Sequence, residues 1–137
     1  MVGAGNIGGA MAMRLLDAGY RLSVCDPNPA AVAPLRERGA QVAATALELA
    51  HHAEIVIASL PTLEASLSVA LGAQGIAQGR ALKVYVETST LGTATVDAIA
   101  KGLQPTGVAY LDAPVAGGGG GGPRAVRAGL MTMLCCG

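Results

Sequence analysis

The hydrophobic and polar positions of the chain follow two alternating patterns. Segments with apolar residues three and four positions apart predict helices, whereas short unbroken apolar runs predict strands that are covered on both faces. The pattern predicts helices over residues 6–18, 30–38, 45–52, 61–70 and 93–101. It predicts strands over residues 21–25, 41–43, 54–60, 83–88 and 108–112, after a clipped first strand at residues 1–2. Because strands and helices alternate at this spacing, we expect right-handed crossovers and an α/β fold with a doubly wound parallel sheet.

Length and composition limit the classes of protein that fit this pattern. The 137 residues suggest one domain over residues 1–137. A hydrophobic share of 52% and a mean hydropathy of +0.50 suit a sheet that is buried on both faces. No apolar run has the length of a membrane span, and no segment resembles a signal peptide. Since the net charge is zero, nucleic acid is not an expected partner either. We expect a cytoplasmic domain.

The cysteines predict neither a disulfide framework nor a metal site. Cys25, Cys135 and Cys136 are odd in number and lack the spacing of metal ligands. We interpret them as buried free thiols in a reducing compartment.

A glycine-rich segment joins the first strand to the first helix. Gly3, Gly5 and Gly8 form the pattern G-x-G-x-x-G, and Asp26 ends the second strand. In a dinucleotide site the first glycine permits a tight turn, the second lets a pyrophosphate approach the backbone, and the third lets helix and sheet pack closely. An acid at the end of the second strand binds ribose hydroxyls. The segment therefore predicts a dinucleotide site. A glycine-rich turn that only packs, and an Asx turn at Asp26, are the alternatives.

Further segments are expected to meet this site at one edge of the sheet. Ligands of doubly wound sheets bind beyond the C-terminal ends of the strands. The segments at that edge are residues 3–8, Asp26, and residues 60–62, 88–90 and 112–118.

These segments together carry a family resemblance. The runs G-A-G-N-I-G-G-A-M, C-D-P-N-P, S-L-P, E-T-S-T and D-A-P-V-A-G-G follow one another in this order. They resemble the N-terminal, Rossmann-type domain of the β-hydroxyacid dehydrogenases, a family that includes 3-hydroxyisobutyrate and 6-phosphogluconate dehydrogenases. The resemblance covers essentially the whole chain. It implies an NAD(P)-binding domain of an oxidoreductase that transfers hydride between nicotinamide and a small 3-hydroxy acid.

The resemblance also implies which residues bind the cofactor. Residues at the pyrophosphate are Gly3, Gly5, Asn6, Ile7 and Gly8. Leu60 and Pro61 are implied to lie under the cofactor, and the Thr90 hydroxyl to meet the ribose on the nicotinamide side. The carboxylate of Asp26 is implied to bind the adenine ribose and to repel a 2′-phosphate, so NAD is favoured over NADP. Helix capping by residues 89–90 is a compatible alternative.

The substrate half of the family pattern is incomplete in this sequence. Ala116, Gly117 and Gly118 match the substrate motif, but Ala116 replaces the family's serine. A flexible loop is predicted over residues 117–122, which are all glycine. The family's proton-donating lysine belongs to a C-terminal helical domain, and neither Lys83 nor Lys101 is expected to replace it. We therefore predict no catalytic residue here and expect a truncated piece of a longer enzyme.

Two consequences follow from this incomplete pattern. A nucleotide-binding module that has lost its chemistry is the alternative to a piece of an oxidoreductase. In either case a rim that lacks its second domain should expose apolar surface, so self-association and marginal stability are expected.

Overall fold

The computed structural model describes residues 1–116 and 122–136, and its helices and strands alternate along most of that length. The helices are α1 (Asn6–Asp17), α2 (Pro29–Glu37), α3 (Ala46–Ala50), α4 (Leu63–Leu71), α5 (Thr93–Leu103) and α6 (Gly122–Ala128). The strands are β1 (Ser23–Val24), β2 (Gln41–Val42), β3 (Ile55–Ala58), β4 (Val84–Glu87), β5 (Ala109–Asp112), β6 (Val115–Ala116) and β7 (Thr132–Met133). Short 3₁₀ turns occupy Ile76–Gln78 and Gln104–Thr106.

Residues 1–2 connect the parallel strands into one sheet. β1 pairs with β2, and β3, β4 and β5 pair in that order, all of them parallel. Between the two groups, the Val2 N–H donates to the Ile57 carbonyl oxygen at 2.8 Å, and the Met1 carbonyl oxygen accepts from the Cys25 N–H at 3.0 Å. The order is therefore β2, β1, residues 1–2, β3, β4, β5. This confirms the predicted doubly wound parallel sheet.

The two faces of the sheet are covered by different helices. Met1 belongs to a buried cluster with residues of α1, α2 and α6, whereas Val2 belongs to a second cluster with residues of α3, α4 and α5. Neighbouring residues of a strand point to opposite faces, so the alternation of Met1 and Val2 separates the two layers. Both layers consist largely of Ala, Val, Leu, Ile and Met side chains.

Most predicted boundaries are correct to within two residues. Gly19 follows the end of α1 at a φ of +83°, as expected of a glycine that ends a helix. β3 is shorter than predicted, because its pairing with β4 ends at Ala58 opposite Glu87. α5 continues two residues beyond the predicted end at Lys101, because Leu103 is fully buried and extends its apolar face.

The segment after β5 differs from the prediction. β6 and β7 form an antiparallel pair in which Val115 lies opposite Met133, and Cys136 makes an antiparallel bridge to Asp112. α6, which was not predicted, begins at Gly122 and packs against α1. The predicted flexible loop was therefore wrong at Gly122, because this residue starts a helix with Pro123 at its first turn. Residues 117–121 lie outside the described residues.

The prediction of buried thiols was wrong for two of the three cysteines. Cys135 and Cys136 follow β7 and are exposed, whereas Cys25 is half-buried beside residues 1–2. In the part of the chain that the structure describes, every helix is too short or too polar to cross a membrane.

Candidate functional site

The three motif glycines meet different surroundings. A Cβ on Gly3, which has a φ of +84°, would overlap the carbonyl oxygen of Ser59, and a Cβ on Gly8 would overlap that of Gly3. A Cβ on Gly5 would meet no atom within 4 Å. Packing therefore requires glycine at Gly3 and Gly8, and a glycine-rich turn without a ligand would require the same. Packing does not require glycine at Gly5.

Gly5 is also the N-cap of α1. No side chain caps the N-terminus of α1, so the N–H groups of its first turn are available to a ligand. A helix N-terminus of this kind attracts anions through its N–H groups and its dipole. The open backbone at Gly5 and the uncapped start of α1 thus face the same space.

That space is a cleft of about 670 Å³, within the range of small-ligand sites. Eight of the nine residues that the sequence assigned to a cofactor line it, namely Gly3, Gly5, Asn6, Ile7, Gly8, Asp26, Leu60 and Pro61. The ninth, Thr90, is exposed and is not among the lining residues. The structure therefore brings together the glycine loop, the end of β1 and the loop after β3.

Asp26 connects the glycine loop to the turn that follows β1. Its Oδ2 accepts from the Ala4 N–H at 2.6 Å, and its Oδ1 accepts from the Asn28 N–H at 2.8 Å. The second bond is the Asx turn that the sequence left open. Since each carboxylate oxygen has a further lone pair and the side chain lines the cleft, the Asx turn does not prevent Asp26 from accepting a ligand's hydroxyl groups.

The loop after β3 is attached to the end of β4. The Leu60 N–H donates to Ser89 Oγ at 2.7 Å, and the Ser89 N–H donates to Glu87 Oε1 at 3.0 Å. Helix capping by residues 89–90 was wrong, because α5 begins at Thr93 with Gly92 as its N-cap. The Ser89 hydroxyl instead holds the backbone of the cleft-lining loop.

The substrate motif lies partly within the structure. Ala116 ends β6, opposite Thr132 of β7, and its side chain is exposed. It does not line the cleft. Gly117 and Gly118 lie outside the described residues.

One wall of the cleft was missed by the sequence analysis. It is formed by residues at the start of α3, on α4 and in the loop after it: Thr45, Ala46, Ala65, Ser68, Val69 and Gln74. Thr45 caps α3 by accepting from the Glu48 N–H at 3.0 Å. The spacing of Ala65, Ser68 and Val69 places them on one helical face, which is the signal that could have identified this wall.

A buried polar cluster beside the cleft was missed as well. Glu87 is fully buried and accepts from the Tyr85 hydroxyl at 2.9 Å, and it lies opposite Asp112 in the register of β4 and β5. Burial and the neighbouring Glu87 raise the pKa of Asp112, and burial also raises the pKa of Tyr85. The rings of Tyr85 and Tyr110 stack with their centroids 5.8 Å apart. The ends of β4 and β5 therefore enclose an acidic environment.

Comparison with known proteins gives consistent matches over the whole chain. A family described as the NAD binding domain of 6-phosphogluconate dehydrogenase matches residues 1–137. A 3-hydroxyisobutyrate dehydrogenase of Pseudomonas aeruginosa is 40% identical over 134 residues, which cover 97% of this chain and 44% of the relative.

Solved structures match with the same coverage. A Mycobacterium tuberculosis 3-hydroxyisobutyrate dehydrogenase with L-serine has a TM-score of 0.85 at 26% identity, over 99% of this chain and 45% of that one. A 3-hydroxyisobutyrate dehydrogenase of Salmonella typhimurium has a TM-score of 0.84 at 30% identity, over 98% and 46%. The chain thus spans less than half the length of these relatives.

Proposed function

Because this chain belongs to the family of the NAD binding domain of 6-phosphogluconate dehydrogenase, we propose that its cleft binds a nicotinamide dinucleotide. The observation that carries the proposal is the open backbone at Gly5, directly before the uncapped N-terminus of α1. A pyrophosphate needs both features, since its oxygens accept from backbone N–H groups and require close approach. Asn6, Ile7 and Gly8 supply the first helical turn beneath it.

The remaining cleft residues suit the other parts of such a cofactor. Asp26 accepts hydrogen bonds from the adenine ribose hydroxyls and disfavours a 2′-phosphate by charge repulsion, so NAD is preferred to NADP. The apolar wall on α4, with Ala65 and Val69, is suited to a flat aromatic ring. Leu60 and Pro61 contact the cofactor from below, and Thr90 approaches its nicotinamide ribose.

For the longer enzyme we propose hydride transfer between the nicotinamide and a small 3-hydroxy acid such as 3-hydroxyisobutyrate. Ala116, Gly117 and Gly118 then contribute to the substrate side of the site. The proton-transferring group is expected in the helical domain of the longer relatives, because Lys83 is exposed and pairs with Glu54 at 2.7 Å before β4, at the opposite end of the sheet.

A module that binds the nucleotide without catalysis is the second candidate. The observation that favours it is Ala116, whose methyl group cannot donate the hydrogen bond that the family's serine gives to a substrate. Turnover after the chain is combined with a helical domain from a relative would exclude this candidate. Binding without turnover in the same mixture would support it.

Titration of the chain with NADH and with NADPH, followed by nicotinamide fluorescence, tests the proposed cofactor. We expect saturable NADH binding, weaker NADPH binding, and a loss of about 10- to 100-fold in NADH affinity for Asp26→Ala, as for a charged hydrogen bond. Asp17→Ala is the matched control, because Asp17 is an exposed carboxylate that pairs with Arg38 outside the cleft. Absence of binding to either cofactor would refute the proposal.

A further inference from the structure

Glu87 is a fully buried carboxylate that the proposed function does not yet use. It ends β4, and both of its oxygens accept a hydrogen bond. The Tyr85 hydroxyl donates to Oε2 at 2.9 Å, and the Ser89 N–H donates to Oε1 at 3.0 Å. A buried carboxylate is costly unless such donors surround it, so its place at the edge of the cofactor cleft calls for a physical reason.

The contacts of Ser89 supply that reason. While its N–H is held by Glu87, its Oγ accepts from the Leu60 N–H at 2.7 Å. Leu60 lines the cleft. The Thr88 hydroxyl adds a bond to the Ala58 carbonyl oxygen at 2.6 Å, just before this loop. The end of β4 therefore determines where the loop after β3 lies.

The same strand end contacts the segment that precedes the substrate motif. The Ala113 N–H donates to the Glu87 carbonyl oxygen at 2.8 Å, and the Val115 N–H donates to the Thr88 carbonyl oxygen at 3.3 Å. A shift of Glu87 would thus disturb the cofactor loop and the start of β6 together.

We infer that Glu87 is a positioning residue of the cofactor site, which fixes Ser89 and, through Ser89, the backbone of Leu60. A carboxylate suits this task because both oxygens are acceptors and both neighbours are donors. A glutamine of the same shape can keep both contacts, because its oxygen accepts from the Ser89 N–H while the Tyr85 hydroxyl turns to accept from its N–H₂ group, whereas a methionine would lose both. The cofactor half of the inference rests on the proposed function, but the loop half can be measured in the free protein.

Three variants and one control test the inference. Glu87→Met removes both acceptor oxygens, Ser89→Ala removes the hydroxyl, and Ser89→Thr keeps it. Ser89→Ala keeps the test informative if Glu87→Met does not fold. Thr106→Ala is the matched control, because the Thr106 hydroxyl also joins two backbone groups, Leu103 O at 2.6 Å and Val108 N at 3.2 Å, before β5 and away from the cleft.

The first readout is amide hydrogen exchange at Leu60 in the free protein, and the second is NADH affinity. For Glu87→Met and Ser89→Ala we expect exchange at Leu60 to accelerate and NADH affinity to fall, each by roughly 3- to 10-fold, as for one hydrogen bond. Ser89→Thr should restore both. Thr106→Ala should leave both unchanged while lowering the melting temperature.

The outcomes separate this inference from the proposed function. Unchanged exchange at Leu60 in Ser89→Ala overturns the inference whether or not NADH binds. Faster exchange with unchanged NADH affinity overturns the positioning role in cofactor binding. If the wild-type chain binds no NADH, the proposed function fails, and the exchange data alone decide whether Glu87 holds the loop.

Discussion

Substitution of Gly5 and of Gly8 by alanine should give opposite results, although the two glycines belong to one motif. Gly5 has a φ of −64° and open space where a Cβ would lie, so Gly5→Ala introduces neither strain nor overlap. Alanine is a poorer N-cap than glycine but restricts the unfolded chain, and these effects of about 0.5–1 kcal/mol each nearly cancel. The fold should therefore be retained. The added methyl group would occupy the path of the pyrophosphate, so NADH affinity should fall by at least about 10-fold.

Gly8→Ala should instead destabilise the fold. The new Cβ would overlap the carbonyl oxygen of Gly3, which is backbone and cannot move like a flexible side chain. Overpacking of this kind costs about 1–3 kcal/mol, which for a chain of this size lowers the melting temperature by roughly 4 °C per kcal/mol. Thermal unfolding followed by circular dichroism, together with NADH titration, measures both effects. A Gly5→Ala chain that unfolds, or that binds NADH like the wild type, would refute the reasoning, and so would a Gly8→Ala chain of wild-type stability.

Two further outcomes are expected. Burial and Glu87 raise the pKa of Asp112, so the stability of the fold should decrease as pH increases above 3.8. Asp112→Asn should therefore be more stable than wild type at neutral pH but not at pH 3. Equal stability of the two chains at neutral pH would contradict this. Leu130 and Leu134 are 71% and 59% exposed, so the chain should self-associate in sedimentation experiments. The double variant Leu130→Ser, Leu134→Ser should reduce this association. A wild-type chain that is monomeric at every concentration would contradict the prediction.

The parts of the site that depend on local signals could be predicted from the sequence. Glycine spacing, the acid at the end of β1 and the alternation of strands and helices place Gly5 and Asp26 at one edge of a parallel sheet, and the structure has them lining one cleft. The β6–β7 pair could not be predicted in this way, because Val115 and Met133 are distant in the chain and neither segment has a strong periodicity.

Glu87 shows a different limit of sequence reasoning. A charged residue at the end of a strand is expected to be exposed, unless hydrogen-bond partners allow its side chain to be buried. One of these is Tyr85, whose hydroxyl reaches it from two positions earlier on the same face of β4. The other is the Ser89 N–H, which becomes available because the chain turns after Thr88. Sequence alone supplies the spacing of these groups but not the turn that brings them together.

Three kinds of constraint therefore apply to residues at this edge of the sheet. At Gly3 and Gly8 a neighbouring backbone oxygen leaves no room for a side chain. At Glu87 the Ser89 N–H requires an acceptor and the Tyr85 hydroxyl requires a hydrogen-bonding partner. At Gly5 free space faces the cleft, so the folded chain tolerates a side chain there more readily than a bound dinucleotide would. Asp26 is subject to the second constraint as well, because its two oxygens accept from the Ala4 and Asn28 N–H groups. Substitutions of the first two kinds should alter the free protein, whereas those of the third kind should become apparent mainly when the cofactor is added.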